Sequence, residues 1–132
     1  MMTSGAIANV LNAYARAWSE GDLAAVMAAY HDDFVLHYFG NNPLAGQHVG
    51  KTAALGVLGE FSRRTNRKLI QIVSVMAGDR RGAIVAREQL GPDAAPIEVE
   101  RVLVYRIADD KLAECWVYDG DQAAIDRLIR GS

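Results

Sequence analysis

The chain has little of several things, and each scarcity excludes a class. There is one cysteine, Cys115, among 132 residues. It cannot form an internal disulfide, and it leaves no thiol cluster for a structural zinc site. Proline is scarce, at three residues. Neither charge dominates: 14 Lys and Arg stand against 16 Asp and Glu, for a formal net charge of −2. That balance offers no basic stripe, so nucleic acid and acidic membrane surfaces are not expected partners. No stretch reaches the roughly 18 apolar residues of a membrane span. The opening Met1-Met2-Thr3-Ser4 lacks a basic region followed by an apolar run, so no leader is expected and the chain reads as cytoplasmic. Glycine-rich phosphate loops and paired histidines at ligand spacing are missing too, so no nucleotide site and no metal are expected.

What is present is a globular pattern. Hydrophobic residues make up 51% of the chain, too many for a disordered one. No composition shift or repeat divides residues 1–132, which are expected to form one domain with one core. Ile7, Val10, Leu11, Tyr14 and Trp18 recur at helical spacing over about Thr3 to Trp18. Asp22 is a good N-cap for a second helix carrying Leu23, Val26, Met27 and Tyr30. His31-Asp32-Asp33 reads as the turn into an aromatic strand from Phe34 to Phe39, broken by Asn41-Asn42-Pro43. A third helix is expected between Lys51 and Arg64, with Leu55, Leu58 and Phe61 inward. Strands follow over 68–78, Ala83–Leu90, Ile97–Ile107 and 111–118, with Asp109-Asp110 as a tight hairpin. Asp121 can cap a short closing helix. This order predicts an α+β fold. Three N-terminal helices pack on a curved antiparallel sheet that closes only partly, a cone with an internal cavity.

The long strand carries the clearest chemistry. Ile97, Val99, Arg101, Leu103, Tyr105 and Ile107 share one face, apolar except for Arg101. A guanidinium there needs a carboxylate or a polar cavity. It either pairs structurally, with Glu88 or Glu114, or reaches solvent; or it holds an anionic ligand or orients a catalytic acid. Tyr14, on a buried stripe, needs a partner for its hydroxyl: a structural bond, or a substrate oxygen as in an oxyanion hole. His37 is a candidate general base or a solvated side chain. Asp119 is a candidate pocket acid or base at the cavity rim, or a turn residue. Trp18, Tyr38, Leu103, Tyr105 and Trp116 are candidate ligand-binding walls. Cys115 reads as a small core residue rather than a nucleophile. The other face of the long strand places Val102 and Val104 among charges, which suggests a subunit contact and a C2 homodimer through the open sheet face.

Tyr14, the Ala-rich stretch after it, Gly21-Asp22 and the Asp32-Asp33 turn resemble the opening of ketosteroid isomerases. There the tyrosine of the first helix is the oxyanion donor. That family's two carboxylic acids do not carry over, because Tyr38 and Leu103 occupy their positions, so a conventional ketosteroid isomerase is not implied. His37-Tyr38-Phe39-Gly40-Asn41-Asn42-Pro43-Leu44-Ala45-Gly46, then Gly50-Lys51, and the closing segment Tyr118 to Asp126 resemble the SnoaL-like group. Both belong to the nuclear-transport-factor-two-like superfamily, of cystatin-like α+β barrel fold. The resemblance implies acid/base chemistry without metal or cofactor on a small apolar, carbonyl-containing or polycyclic molecule in the cavity, and dimers packed sheet against sheet. A non-catalytic binding or self-association domain is the alternative on the same fold. Arg101 is also similar in place to the arginine that limonene-epoxide hydrolases of this fold hold between two aspartates, with Leu103 where one aspartate would stand.

Overall fold

Amphipathic helices need a surface to bury against, and here one curved sheet supplies it. The computed structural model describes residues 3–131; Met1, Met2 and Ser132 lie outside the described residues, and with them half of the segment read above for a leader. The elements are α1 (Ser4–Glu20), α2 (Leu23–Ala28), β1 (Tyr30–Tyr38), β2 (Gly46–Val49), α3 (Lys51–Thr65), β3 (Lys68–Ala77), β4 (Arg81–Leu90), β5 (Ile97–Ala108), β6 (Lys111–Asp119) and α4 (Gln122–Arg130). The six strands form one sheet, ordered β2-β1-β6-β5-β4-β3, which is not closed. Among the described residues, no helix is long and apolar enough to cross a membrane.

Local chemistry sets the helix ends. The Thr3 hydroxyl accepts from the Ala6 amide at 3.1 Å and starts α1. Gly21, at φ 69°, ends it, with the Gly21 and Asp22 amides donating to Trp18 and Ala17 carbonyls. Asp22 then accepts from the Ala25 amide and starts α2. Helix α1 lies across β3 and β4. Its approach is closest at Gly82, where a Cβ would stand 2.8 Å from the Met76 carbonyl oxygen and run into Leu11 and Ile7. Ile7, Leu11, Phe34, Ile84 and Leu112 are fully buried in the core this makes. In β5, Val99, Arg101, Leu103, Tyr105 and Ile107 are buried in alternation. Asp109 and Asp110, at φ 54° and 58°, form the hairpin into β6 with the two left-handed residues a type I′ turn requires.

Five expectations need correction. The sheet is not antiparallel throughout, since β1 runs parallel to β6; the two strands are far apart in sequence, so no hairpin fixes their direction. His31, Asp32 and Asp33 lie inside β1 rather than in a turn, in a stretch where the register to β6 shifts. Tyr30 starts that strand instead of closing α2. Residues 46–49, to which the sequence pattern assigns no element, form strand β2: it is four residues long with no buried position, and it forms by pairing with β1 at the sheet edge. Leu23 and Met27, read as a buried stripe, are exposed, because α2 has no buried residue.

Candidate active site

Between helices α1–α3 and the concave face of the sheet lies a cavity of about 370 Å³. Val26, Phe34, Leu55, Leu58, Phe61 and Val117 give it apolar walls. Leu23 and Met27 also line it, and their exposure places them toward its mouth. Such a surface strips water from a ligand over most of its area.

Two polar groups interrupt the apolar walls. One is a set of hydroxyls. Tyr14 of α1 and Tyr30 of β1 share a hydrogen bond, and Tyr14 also bonds Tyr105 of β5. The rings meet edge to face at 5.5 Å and 5.9 Å, which fixes where the hydroxyls stand. Burial pushes the Tyr14 phenol up to about 12, and the Tyr30 and Tyr105 phenols well above their ordinary value. All three are therefore neutral donors near pH 7. Cys115 lies beside them, and burial raises its thiol to about 12, so it carries almost no thiolate.

The other is a charged chain. Glu88 of β4 accepts from Arg67 Nη1 at 2.9 Å through one oxygen and from Arg101 Nη1 at 3.2 Å through the other. Arg101 Nε donates to Asp119 at 2.5 Å, and its Nη2 to the Tyr38 hydroxyl at 2.9 Å. The guanidinium also lies 4.2 Å from the Phe61 ring centroid. Burial raises the Asp119 carboxyl, with Arg101 opposing the rise. Glu88, Arg67 and Arg101 line the cavity; Asp119 and Tyr38 stand behind Arg101 and hold it.

Of the residues singled out from the sequence, Tyr14, Trp18, Arg101, Leu103 and Tyr105 come together around the cavity. Tyr38 and Asp119 reach it only through Arg101. His37 and Trp116 do not reach it, which corrects both. Strand alternation that turns Tyr38 inward turns His37 outward, and Trp116, paired with His37 in register, follows it. There they stack at 5.0 Å with ring planes 4° apart, and His37 Nε2 meets Glu114 at 2.5 Å. Glu114 is thus a partner of His37 and of Arg106, and Arg101 takes Glu88.

Sequence reasoning missed Arg67 and Tyr30 and left Glu88 as a structural partner. The signal for Glu88 is the one that singled out Arg101. It falls in phase with Ile84, Ala86 and Leu90, all buried on one face of β4. Arg67, in the short link between α3 and β3, shows no such pattern. Among the described residues, no cluster of His, Cys, Asp and Glu is suited to a metal ion.

The sequence matches the SnoaL-like domain family over residues 11–115. No curated protein matches it. Solved structures share the fold at low identity. A protein of unknown function with cystatin-like fold from Xanthomonas campestris is 22% identical, covers 98% of this chain and 99% of its own, and has a TM-score of 0.83. Bal32a, from a soil-derived mobile gene cassette, is 18% identical over 96% of this chain and 98% of its own, with a TM-score of 0.82. A candidate SnoaL-like polyketide cyclase of Mesorhizobium loti is 18% identical over 85% of this chain and 97% of its own, with a TM-score of 0.70. At these identities the likenesses speak for the fold alone.

Proposed function

The chain belongs to the SnoaL-like domain family, and from that premise we propose that its cavity binds a small, mostly apolar molecule with a carbonyl group and moves a proton on it. The family and its cyclase-like neighbours support a small-molecule fold of the cyclase and isomerase type. The observation that carries the finer reading is the meeting of a buried carboxylate and a set of neutral phenols in one apolar cavity. Glu88 takes a proton from the carbon beside the carbonyl, and the electron pair of that C–H bond moves onto the oxygen. Tyr14 donates to the oxygen as charge develops there. Return of the proton to a different carbon gives an isomer; attack of the carbanion on a second carbonyl of the same molecule closes a ring, the C=O π pair moving onto its oxygen, which takes back the proton held by Glu88. Arg67 and Arg101 hold Glu88 in place while each of its oxygens keeps a free lone pair.

The test is a thermal-shift panel of steroid enones, polycyclic phenols, terpene epoxides and aromatic carboxylates, followed by turnover assays on whatever stabilises the protein. Tyr14→Phe is expected to lower kcat by about 10- to 100-fold, and Glu88→Gln by about 100-fold or more, with both variants still binding. Full turnover by either variant removes that residue's role. A second reading, a pocket that holds its ligand unchanged, is favoured by one observation: among the described residues, every buried polar side-chain atom already has a partner. In that case the variants change affinity, and the ligand is recovered intact.

The outer sheet face supports a C2 homodimer. Val102 and Val104 are half-buried there beside the His37–Trp116 stack, and the Phe39 and Tyr118 rings stack at 5.3 Å. A second copy would cover this apolar band. A single buried thiol suits the reducing cytoplasm.

A further inference from the structure

We infer that Arg67 is the specificity-determining residue of the cavity and that the ligand it selects is a flat aromatic or conjugated carboxylate. The inference rests on the reading of the cavity as a small-molecule site and names what that site prefers.

The two arginines of the charged chain are not equivalent. In Arg101 every nitrogen has a partner: its donors go to Glu88, to both oxygens of Asp119 and to Tyr38, and its side chain is 5% exposed. Arg67 has Nε on the Ser62 hydroxyl at 2.9 Å and Nη1 on Glu88 at 2.9 Å. Its Nη2 has no partner among the described residues. Since no buried polar side-chain atom there lacks one, Nη2 is open. The side chain is 25% exposed and lines the cavity. The unused Nη2 of a planar cation can donate a charge-assisted hydrogen bond to a carboxylate oxygen, which a neutral ester or amide carbonyl accepts more weakly.

Charge points the same way. Arg67 and Arg101 face two carboxylates, Glu88 and Asp119, so the empty chain is formally balanced. Asp119 belongs to Arg101 alone, and Glu88 is divided between the two. An incoming anion would meet Nη2 of Arg67, with Glu88 held on the neighbouring Nη1. Among the described residues, no lysine or arginine besides these two lines the cavity. In a cavity otherwise lined by aliphatic and aromatic groups, an anion without that partner would be costly to bury.

Trp18 supplies the shape. Its ring faces the same cavity with the Arg67 guanidinium 5.6 Å from its centroid, and Tyr14 lies 6.1 Å beyond. A carboxylate gripped by Arg67 therefore carries its attached ring system along the Trp18 face. An aliphatic acid would leave uncovered the part of that face not under the guanidinium.

The test is titration calorimetry with three probes of one shape: 2-naphthoate, methyl 2-naphthoate and 2-naphthamide. The wild type should bind the carboxylate about tenfold or more tightly than the ester or the amide. Arg67→Gln should abolish that order while still binding the ester, and Arg67→Lys, which keeps charge but loses the fork, should retain only part of it. Equal or tighter binding of the ester by the wild type overturns the inference and leaves the cavity reading standing. So does a preference undiminished in Arg67→Gln. Failure of all three probes to bind the wild type overturns the inference; the cavity reading falls only if the thermal-shift panel fails as well. If Arg67→Gln does not fold, Arg67→Lys decides, and an undiminished preference for the carboxylate in it overturns the inference.

Discussion

A guanidinium at 4% exposure persists only where its charge and its donors are met, and Arg101 has Glu88, Asp119 and Tyr38 for that purpose. Removing the cation alone would leave Asp119 buried without a counter-charge and Glu88 with Arg67 alone, which is worse than never having built the pair. Arg101→Leu should therefore lose about 3–5 kcal/mol of unfolding free energy in urea titration. Adding Asp119→Asn to it should recover part of that loss, whereas the same substitution in the wild type should only destabilise. A simple sum of the two single effects would show that the groups act independently. Half of this arrangement was legible in the sequence, because a charged residue in phase with Val99, Leu103 and Tyr105 must find a partner. Which partner was not legible. Glu88 and Glu114 both lie on strands beside β5, and only the register to β4 and β6 turns one inward and the other out. The same register decides His37. Period-2 alternation showed that His37 and Tyr38 point opposite ways, but it carries no sign, and the sign comes from burying Tyr38 against Phe61 at 5.8 Å.

At the scale of elements, caps and turns were readable because their chemistry is local. Asp22, Asp121 and the Asp109-Asp110 hairpin act within a few residues of themselves. Strand β2 and the parallel β1–β6 pair were not readable, because both depend on partners distant in sequence. One distant contact of this kind ties the loop after β1 to the closing helix. The Asp126 carboxylate of α4 accepts from the Asn41 amide at 3.0 Å, Asn42 Nδ2 at 2.7 Å and Gln122 Nε2 at 2.9 Å. Burial by itself would raise its pKa; the bonds from Asn42, Asn41 and Gln122 outweigh burial and hold it below the ordinary value. A carboxyl depressed in the folded state binds protons more weakly there than in the unfolded chain. Its stabilisation is thus present above the ordinary aspartate range and is lost as the pH falls through the depressed value. Asp126→Asn should cost about 1–2 kcal/mol near neutrality and remove this part of the acid limb, read by urea titrations from pH 6 downward. Asp119 has the opposite sign, since its raised carboxyl favours the folded state on protonation; the Asp126 charge is one of the lesser causes of that rise, so Asp126→Asn also removes a small part of this opposing contribution. Parallel acid limbs in the two would show that the loop contact carries no linked proton.

For the whole molecule, the asymmetry of the sheet is the dominant fact. Its concave face is taken up by α1, α3 and the cavity, while its other face presents a band of rings and valines among charges. On that outer face Trp116 lies under the Arg81 guanidinium at 3.9 Å and against His37, so a large indole is already flattened onto the sheet. Flat, rigid and half-buried aromatic groups are what a self-complementary contact uses, since little side-chain entropy is left to lose when a second copy covers them. Val104 stands between Ala83 and Trp116 in the strand register, near the middle of that band. In a C2 contact through it, each copy's residue 104 lies close to the axis and to its own counterpart. Val104→Arg would then set two like charges against each other in a desolvated place, whereas in a monomer it would be an ordinary half-exposed strand substitution. Light scattering at micromolar concentration should give a dimer for the wild type and a monomer for Val104→Arg. The melting temperature of the variant should become independent of protein concentration, while that of the wild type rises with it. A wild type that scatters as a monomer, with a concentration-independent melting point, would leave the outer face without this partner. The cavity would be unaffected, because its lining comes from the opposite face and from helices of the same chain.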